Sequence, residues 1–277
     1  MKKLLDFVVI GGMKCGSTAV GTYFSENPNV NFCDMIETDY FSHNYNKIDS
    51  IDNYFKTFFE EKIGLKGESS PTYSYPDNLP KTPLMLKNNF PEIKVILIVR
   101  NPIKRVESHI NHLKLNGNVE NLDVRECLDS YPGIIDKSRF GLMVDEYLKV
   151  FNKDNFFVVK FEEVISGEGL IKMCEYLKIK PHSNTLPKAN KTDARYIEIP
   201  IIRFYKRNWI KFRNLPGFNK IRRPLKKMID KLFSKKLTKS DLVTLSNDEI
   251  ALIKSALHKD DQLFKKYYDF SLFDLKK

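Results

Sequence analysis

Short apolar runs alternate with segments of helical periodicity along the first 180 residues of the chain. Residues 94–99 (KVILIV) form a continuous, β-branched run, which is typical of a strand buried on both faces of a parallel sheet. The pattern predicts four strands, at residues 6–11, 65–69, 94–99 and 155–161. It predicts helices over residues 16–27, 103–115, 136–151 and 169–179, with an irregular, partly helical connection over 78–90.

The alternation of strands and helices predicts an α/β fold, a three-layer sandwich with a central parallel sheet flanked by helices. After about Lys180 no comparable strand follows, and the pattern predicts a loop, basic helices and a final helix from Asn247 to about Tyr267. We therefore expect a single domain over residues 1–277. Residues 1–180 would form the α/β core, and residues 181–277 a basic, mainly helical part packed on it.

The composition is that of an ordinary folded protein, because 42% of the 277 residues are hydrophobic and 29% are charged. This excludes the disordered, collagen-like and disulfide-scaffold classes. No apolar run approaches the roughly 20 residues of a membrane span. The N-terminus begins like a signal peptide, but Asp6 interrupts its apolar run and no cleavage site follows. The four cysteines form no CxxC pair, so we expect free thiols and a cytoplasmic protein.

Positive charge is concentrated in one segment. The chain carries 46 Lys and Arg against 35 Asp and Glu, a formal net charge of +11, and residues 203–236 hold thirteen basic residues and one acidic residue. Such a block favours peripheral contact with a membrane or an anionic glycan, and a solvated helix face is the alternative interpretation. Nucleic acid is not an expected partner, since the spacing of the aromatic residues in the block is equally that of a buried helix face.

The first predicted strand leads into a glycine-bearing turn, residues 11–18 (GGMKCGST), and then into a helix. Such a turn brings backbone amides and a helix N-terminus to one point, which suits a phosphate group. Lys14 adds a positive charge, and the hydroxyls of Ser17 and Thr18 add donors. The loop is not a Walker A loop, whose lysine directly precedes the Ser or Thr. The turn predicts a P-loop-like phosphate site, and an ordinary turn with a solvated lysine is the alternative.

A second candidate site follows the apolar run at residues 94–99. Asn101 and Pro102 are typical cap and first-turn residues of a helix start. Arg100 lies at the carboxyl end of a predicted parallel strand, where α/β sheets place ligands, and Ser108 follows two helical turns into the helix. Because arginine offers a bidentate fork to phosphate oxygens, we predict that Arg100 and Ser108 hold a second phosphate.

These two motifs at two strand ends resemble the sulfotransferases that use 3′-phosphoadenylyl sulfate (PAPS). Residues 14–18 are similar to their 5′-phosphosulfate loop, and residues 100–108 to their 3′-phosphate motif. Residues 67–73 (GESSPTY) resemble the Glu-Lys-Ser-Pro-x-Tyr stretch of the heparan sulfate and related carbohydrate sulfotransferases. The resemblance covers roughly residues 5–180. It includes residues 37–41 (ETDYF), similar to the segment with the catalytic glutamate, as well as Ser138, Gly141 and a strand at 158–165 (VVKFEEVI).

The resemblance implies a PAPS site and an enzyme that needs no metal, since a sulfuryl group carries less charge than a phosphoryl group. Lys14 would stabilise the charge that develops on the departing phosphate oxygen. Glu37 would be the general base, with His43, His109 or His112 as alternatives. The implied cofactor-binding residues are Lys14, Cys15, Gly16, Ser17, Thr18, Arg100 and Ser108, together with Lys191 and Arg195 in a late loop.

Two departures from the family pattern bear on the acceptor. Ile36 and Ser69 stand where many carbohydrate sulfotransferases have lysine, which removes positive charge near the acceptor. We expect in-line sulfuryl transfer from PAPS to a hydroxyl or amine of a saccharide in a glycan or glycolipid, with another acceptor class open. Two other functions also stay open: a P-loop-type small-molecule kinase that uses ATP and magnesium, and a non-catalytic basic binding protein on the same fold.

Overall fold

The computed structural model of the chain describes residues 4–33, 37–44, 50–60, 62–115, 119, 123–187, 196–198, 234–236 and 242–275. Its main sheet consists of five parallel strands in the order β2–β3–β1–β4–β5. They are β1 (Phe7–Val9), β2 (Val30–Phe32), β3 (Leu65–Ser69), β4 (Lys94–Val99) and β5 (Phe156–Lys160). Helices flank this sheet, which confirms the predicted α/β class.

The helices of the described residues lie between and after the strands. They are α1 (Ser17–Glu26), α2 (Ile51–Phe58), α3 (Lys81–Asn89), α4 (Pro102–Leu115), α5 (Val124–Ser130), α6 (Gly133–Asp136), α7 (Phe140–Leu148), α8 (Phe161–Ser166), α9 (Glu168–Leu177) and α10 (Asn247–Lys265). A π-helical turn spans Tyr40–Asn44, and a short antiparallel pair joins β6 (Tyr196–Glu198) and β7 (Ser234–Lys236). None of the helices described is long and apolar enough to cross a membrane.

The central strands explain why the apolar runs of the sequence predict the sheet. Residues 95–99 of β4 are all 0% exposed, because β1 and β5 pair with its two edges and side chains cover both faces. The three residues of β1 are also 0% exposed. A strand in this position must be apolar at every residue, rather than at alternate ones.

The strand order creates the crevice in which the candidate site lies. β3 and β2 extend the sheet on one side of β1, and β4 and β5 extend it on the other. The connections that lead away from β1 therefore run to opposite sides of the sheet. Because β1 and β4 are adjacent and parallel, the loops that follow them begin at the same end of the sheet. Ligands of open α/β sheets bind at such a reversal.

Three local predictions are wrong. Residues 161–165 are helical rather than a continuation of the strand at 158–165, since the Glu163 carboxylate accepts the Lys160 amide at 3.2 Å and starts α8. The helix predicted over 136–151 is interrupted, and residues 137–139 turn between α6 and α7. The pattern also missed β2, α2, α5 and the β6–β7 pair, which are short.

The predicted final helix is confirmed as α10, which packs against α7 and contacts α4. Its residues Ile253, Leu257 and Phe264 are buried. The Asp260 carboxylate accepts the amides of Gly141 and Leu142, each at 2.9 Å, and so binds the N-terminus of α7. This contact fixes the start of α7, whose first residue lies against the loop after β1.

Candidate functional site

The loop after β1 is held in an uncommon backbone conformation. Lys14 and Gly16 both have positive φ, at 68° and 86°. A Cβ at Gly12 would lie 2.6 Å from the Phe140 ring, and one at Gly16 would lie 3.0 Å from the Phe161 ring. The glycines therefore let the loop pass directly against aromatic side chains of α7 and α8.

The N-terminus of α1 follows this loop and supplies donors for an anion. Its first turn contains no acidic residue, and the first amides of a helix have no intrahelical acceptor. Ser17 is buried and Thr18 is exposed. Cys15 is 0% exposed and its amide donates to Gly12 O at 3.0 Å, so this residue shapes the loop. Burial raises the pKa of its thiol to about 12, and the thiol adds no negative charge there.

Arg100 connects the loop after β4 to the loop after β1. Its Nη1 donates to the backbone carbonyl of Lys14 at 2.8 Å, and its guanidinium lies 4.4 Å from the centre of the Phe161 ring. The β4–β5 register pairs Val99 with Lys160, which places Phe161 beside Arg100. The two sequence-predicted phosphate motifs therefore lie together at one edge of the sheet.

Helix α4 begins as the sequence predicts. Pro102 is its first residue, and the Asn101 side-chain oxygen accepts the amides of Ile103 and Lys104 at 3.0 and 3.4 Å. The Asn101 side-chain amide donates to the carbonyls of Phe273 and Leu275. Ser108 lies two turns into this helix and is half-buried.

Arg105 precedes Ser108 by three residues on α4, a spacing from which we expect the two side chains to share one face, but Arg105 is buried whereas Ser108 is half-buried. Arg105 is 0% exposed, and its guanidinium donates to Ser138 Oγ, to the carbonyl of Ile134 and to His109 Nδ1. Burial lowers its pKa to about 10, so it remains charged at neutral pH. Its charge acts on the buried Cys15, so Arg105 adds positive potential beneath the phosphate loop.

The same contact defines the protonation of His109. Burial and then the charge of Arg105 lower the pKa of His109 to about 3, so the ring is neutral. Arginine can only donate, so Nδ1 accepts at 3.3 Å and the ring proton lies on Nε2. His109 therefore suits the role of a hydrogen-bond donor better than that of a base. His112 is half-buried on α4. The side chain of His43 is not among those that the structure describes.

Glu37 lies beside the phosphate loop. The residue is exposed, but surrounding protein atoms desolvate its carboxyl group and, with the charge of Asp39, raise its pKa. The Lys14 charge and a hydrogen bond from the Thr18 side chain act in the opposite direction. The structure therefore brings Lys14, Thr18 and Glu37 close to one another. Such a carboxylate, near a cation and open to solvent, has the chemistry of a general base.

Two buried ionisable side chains near the site were not among the predicted site residues. Glu68, at the end of β3, is 0% exposed and accepts hydrogen bonds from the hydroxyls of Thr38 and Tyr73. Burial raises its pKa to about 7. Arg105 is the second. The sequence did offer a signal for both, since Glu68 stands in a strand-like segment and Arg105 in the motif at 100–108. It does not show, however, that either side chain points into the interior.

Two predicted residues cannot be placed at the site. Lys191 and Arg195 lie outside the described residues, as does most of the basic block at 203–236, where only the backbone of 234–236 is described. Within the described part of the chain, no group of three or more His, Cys, Asp or Glu side chains is arranged to hold a metal ion.

Comparison with known proteins identifies the family. The sequence model of the family described as "Sulfotransferase domain" matches residues 4–193. The chain is similar to the membrane-associated sulfotransferase kil1 of Dictyostelium discoideum, with 33% identity over 105 residues, 37% of this chain and 21% of that protein. It is also similar to the bifunctional heparan sulfate N-deacetylase/N-sulfotransferase 1 of Caenorhabditis elegans, with 29% identity over 117 residues, 40% of this chain. The matched region spans 13% of that second relative.

Solved structures show the same fold. A sulfotransferase from Alicyclobacillus acidocaldarius superposes with a TM-score of 0.67 at 17% identity, covering 100% of this chain and 98% of that one. Retinol dehydratase, solved with androsterone and the inactive cofactor PAP, superposes with a TM-score of 0.50 at 12% identity. That match covers 96% of this chain and 82% of the other.

Proposed function

Because the chain belongs to the sulfotransferase domain family, we propose that it transfers a sulfuryl group from PAPS to a hydroxyl or amine of an acceptor. One observation carries the proposal. The loops after β1 and β4 are joined by the hydrogen bond from Arg100 to the Lys14 carbonyl, and Glu37 lies within electrostatic reach of Lys14. A cation for the leaving group and a carboxylate for the acceptor proton therefore stand at one site.

The residues at this edge fit the donor. Gly12 and Gly16 let the loop after β1 pass directly against aromatic rings. The N-terminus of α1 that follows offers its amides and the Ser17 and Thr18 hydroxyls to an anion. Arg100 and Ser108 are the candidates for the 3′-phosphate. PAPS, when bound, supplies the sulfuryl group and a phosphate leaving group.

Lys14 has the leading electrostatic role in the proposed reaction. Its ammonium stabilises negative charge on the departing phosphate oxygen, which grows in the transition state, so the interaction lowers the barrier more than it tightens ground-state binding. The first-turn amides of α1 share this task. Because Lys14 also acts on Glu37, it favours the ionised form of that carboxylate.

Glu37 removes the proton of the attacking hydroxyl or amine. A correctly placed base contributes roughly 10²–10⁴-fold to a rate. Burial and the charge of Asp39 raise the pKa of Glu37, which strengthens it as a base, while the Lys14 ammonium favours its ionised form. The exposed position of Glu37 leaves room for a large acceptor.

A saccharide of a glycan or glycolipid is the acceptor that we propose. Residues 67–73 resemble the stretch found in carbohydrate sulfotransferases, and one relative is named a heparan sulfate N-sulfotransferase. Another relative is named as membrane-associated, which supports peripheral contact of a cytoplasmic protein with a membrane or an anionic glycan through residues 203–236.

Neutralising five lysines and arginines of that block should raise the acceptor KM and leave nucleotide affinity unchanged; an equal loss of both contradicts this role.

Calorimetry with adenosine 3′,5′-diphosphate (PAP), without magnesium, tests the donor site. We expect tight binding that Lys14→Ala and Arg100→Ala each weaken at least tenfold. Matched controls are Lys149→Ala and Arg125→Ala, since both side chains are 58% exposed and pair with carboxylates of α7 and α5, respectively. A preference for ATP with magnesium would favour the kinase, and no binding of either nucleotide would favour a non-catalytic binding protein.

Transfer of labelled sulfuryl from PAPS to a panel of saccharides tests the reaction itself. N-desulfated heparan sulfate, a neutral oligosaccharide and a simple amine cover the proposed acceptors. Glu37→Gln should lower kcat about a hundredfold and leave PAP affinity within twofold. A Glu37→Gln variant with full turnover would remove Glu37 from the mechanism.

A further inference from the structure

The backbone that follows Glu37, as far as the first residues of the π-helical turn at Tyr40–Asn44, is held by side-chain hydroxyl groups. The amides of Thr38 and Asp39 donate to Ser70 Oγ at 3.2 and 3.1 Å. The amide of Tyr40 donates to Thr38 Oγ1 at 3.3 Å, and that of Phe41 donates to Tyr73 Oη at 3.2 Å. Four consecutive backbone amides therefore depend on three side-chain hydroxyls, those of Thr38, Ser70 and Tyr73.

These three hydroxyls share one further partner. The Tyr73 hydroxyl donates to Glu68 Oε1 at 2.9 Å, the Thr38 hydroxyl donates to Glu68 Oε2, and the Ser70 hydroxyl donates to the same oxygen at 3.5 Å. Glu68 is 0% exposed, as are Ser70 and Tyr73, so water does not replace any of these contacts. The carboxyl group of Glu68 accepts in all three contacts. The hydroxyl protons therefore point toward it, and the hydroxyl oxygens are left to accept the backbone amides.

The strand register explains why this network stands beside the reaction site. Glu68 pairs with Val8 and Ser69 with Val9, so the end of β3 lies level with the end of β1, just before the phosphate loop. Ser69 Oγ donates to the Ser17 carbonyl at 3.4 Å. The network therefore links the end of the sheet to the segment that presents Glu37 near Lys14.

We propose that Glu68 is a positioning residue, which orients the hydroxyls of Thr38, Ser70 and Tyr73 so that they fix residues 38–41 and hold Glu37 against the acceptor. The inference rests on the proposed function, because it takes Glu37 as the base. Glu68 itself is buried beneath the segment and touches no reactant in this role. A displacement of a reacting group by about 1 Å can cost roughly a hundredfold in rate, so the network has a measurable effect on turnover.

Glu68→Gln keeps the shape of the side chain but turns one acceptor into a donor, so at least one hydroxyl must reverse. Hydrogen exchange measures the consequence without an acceptor. We expect the amides of residues 38–41 to exchange about tenfold faster in the variant. Asp261→Asn is the matched control, since Asp261 is 9% exposed and accepts from Ser271 and Leu272 elsewhere. Unchanged exchange at 38–41 in Glu68→Gln overturns the inference.

A double-mutant cycle separates positioning from general destabilisation. PAP release from PAPS is measured with N-desulfated heparan sulfate and a neutral oligosaccharide as acceptors. We expect Glu68→Gln to lower kcat about 10–100-fold at unchanged PAP affinity in the unaltered background, and at most twofold in the Glu37→Gln background. Equal losses in both backgrounds overturn the inference.

A second variant covers the case in which Glu68→Gln does not fold. Ser70→Ala removes the acceptor of the Thr38 and Asp39 amides but leaves the carboxylate in place. Ser70→Ala should also lower kcat in the unaltered background but by at most twofold in the Glu37→Gln background. Equal losses of kcat in the two backgrounds, which is additive behaviour, overturn the inference. Turnover by the unaltered protein separates the two proposals. Its absence overturns the proposed function together with the inference, whereas turnover with additive losses overturns the inference alone.

Discussion

Gly12 lies where the loop after β1 passes closest to α7. Because a Cβ there would lie 2.6 Å from the Phe140 ring, either the ring or the loop must move in Gly12→Ala. We expect the loop to shift and PAP affinity to fall about tenfold or more, measured by calorimetry. Gly133→Ala is the matched control, since the nearest atom to its Cβ is the flexible Lys137 side chain at 3.9 Å. Equal PAP affinity in both variants would show that this close approach does not set the loop geometry.

Arg105 is a buried cation held by neutral partners. Arg105→Met would leave the Ile134 carbonyl, Ser138 and His109 without their donor in the interior. We expect a loss of roughly 3 kcal/mol in the free energy of unfolding, measured by urea denaturation. Arg105→Lys should recover only a part, because one ammonium cannot reproduce the fork of a guanidinium. Full stability in Arg105→Met would mean that the free-energy cost of burying the guanidinium charge is as large as the stabilisation from its hydrogen bonds.

The sequence indicates residues whose chemistry is visible in a local motif. Lys14 follows a glycine turn, and Arg100 follows an apolar strand, so each is recognisable from its neighbours. Ser138 and Ile134, which accept from Arg105, come from a distant segment, as does Thr38, which donates to Glu68, and no local pattern indicates these contacts. His109 shows the same limit, since burial and then the charge of Arg105 lower its pKa and keep the ring neutral.

At the scale of elements, prediction succeeds where one environment applies along the whole segment. β4 is buried on both faces and reads as a continuous apolar run. The turn between α6 and α7 depends instead on Ser138, which is 0% exposed and accepts from Arg105. Because the residues on both sides of that turn have helical spacing, the sequence pattern predicts one continuous helix there. The end of β5 is likewise decided by Glu163, three residues beyond its last residue.

The contact between α10 and α7 predicts an unusual pH dependence. Asp260 is 6% exposed, and burial raises its pKa from 3.8 to about 6, although the Gly141 and Leu142 amides oppose this. A pKa raised by folding means that the folded state retains the proton more tightly. Its contribution is full below the unfolded pKa near 3.8 and is lost as the pH rises through about 6.

Asp260→Asn removes this titration. The unfolding free energy of the unaltered protein, relative to that of Asp260→Asn, should therefore fall between about pH 4 and pH 7, by roughly 3 kcal/mol. Urea denaturation of both proteins at several pH values measures the difference. A difference that stays constant or grows with pH would contradict the raised pKa.

At the scale of the whole molecule, ligand binding and stability are linked through the edge of the sheet. A ligand that binds only the folded chain, present at a concentration of a hundred times its Kd, raises the free energy of unfolding by about 2.7 kcal/mol. PAP should have this effect, measured by urea denaturation with and without the nucleotide. At that same PAP concentration Lys14→Ala should gain much less, whereas Lys149→Ala should keep the full gain. An equal gain in both variants would place the nucleotide elsewhere.

The hydrogen bond between Arg100 and the Lys14 carbonyl also bears on how this scaffold can be altered. A foreign phosphate loop grafted after β1 would follow another course and would not present that carbonyl, so Arg100 would lose its acceptor while it still lay over Phe161. The two loops, 86 residues apart in the chain, thus behave as one exchangeable module. Engineering a new donor specificity requires that both be replaced together, and natural divergence of one would demand a matching change in the other.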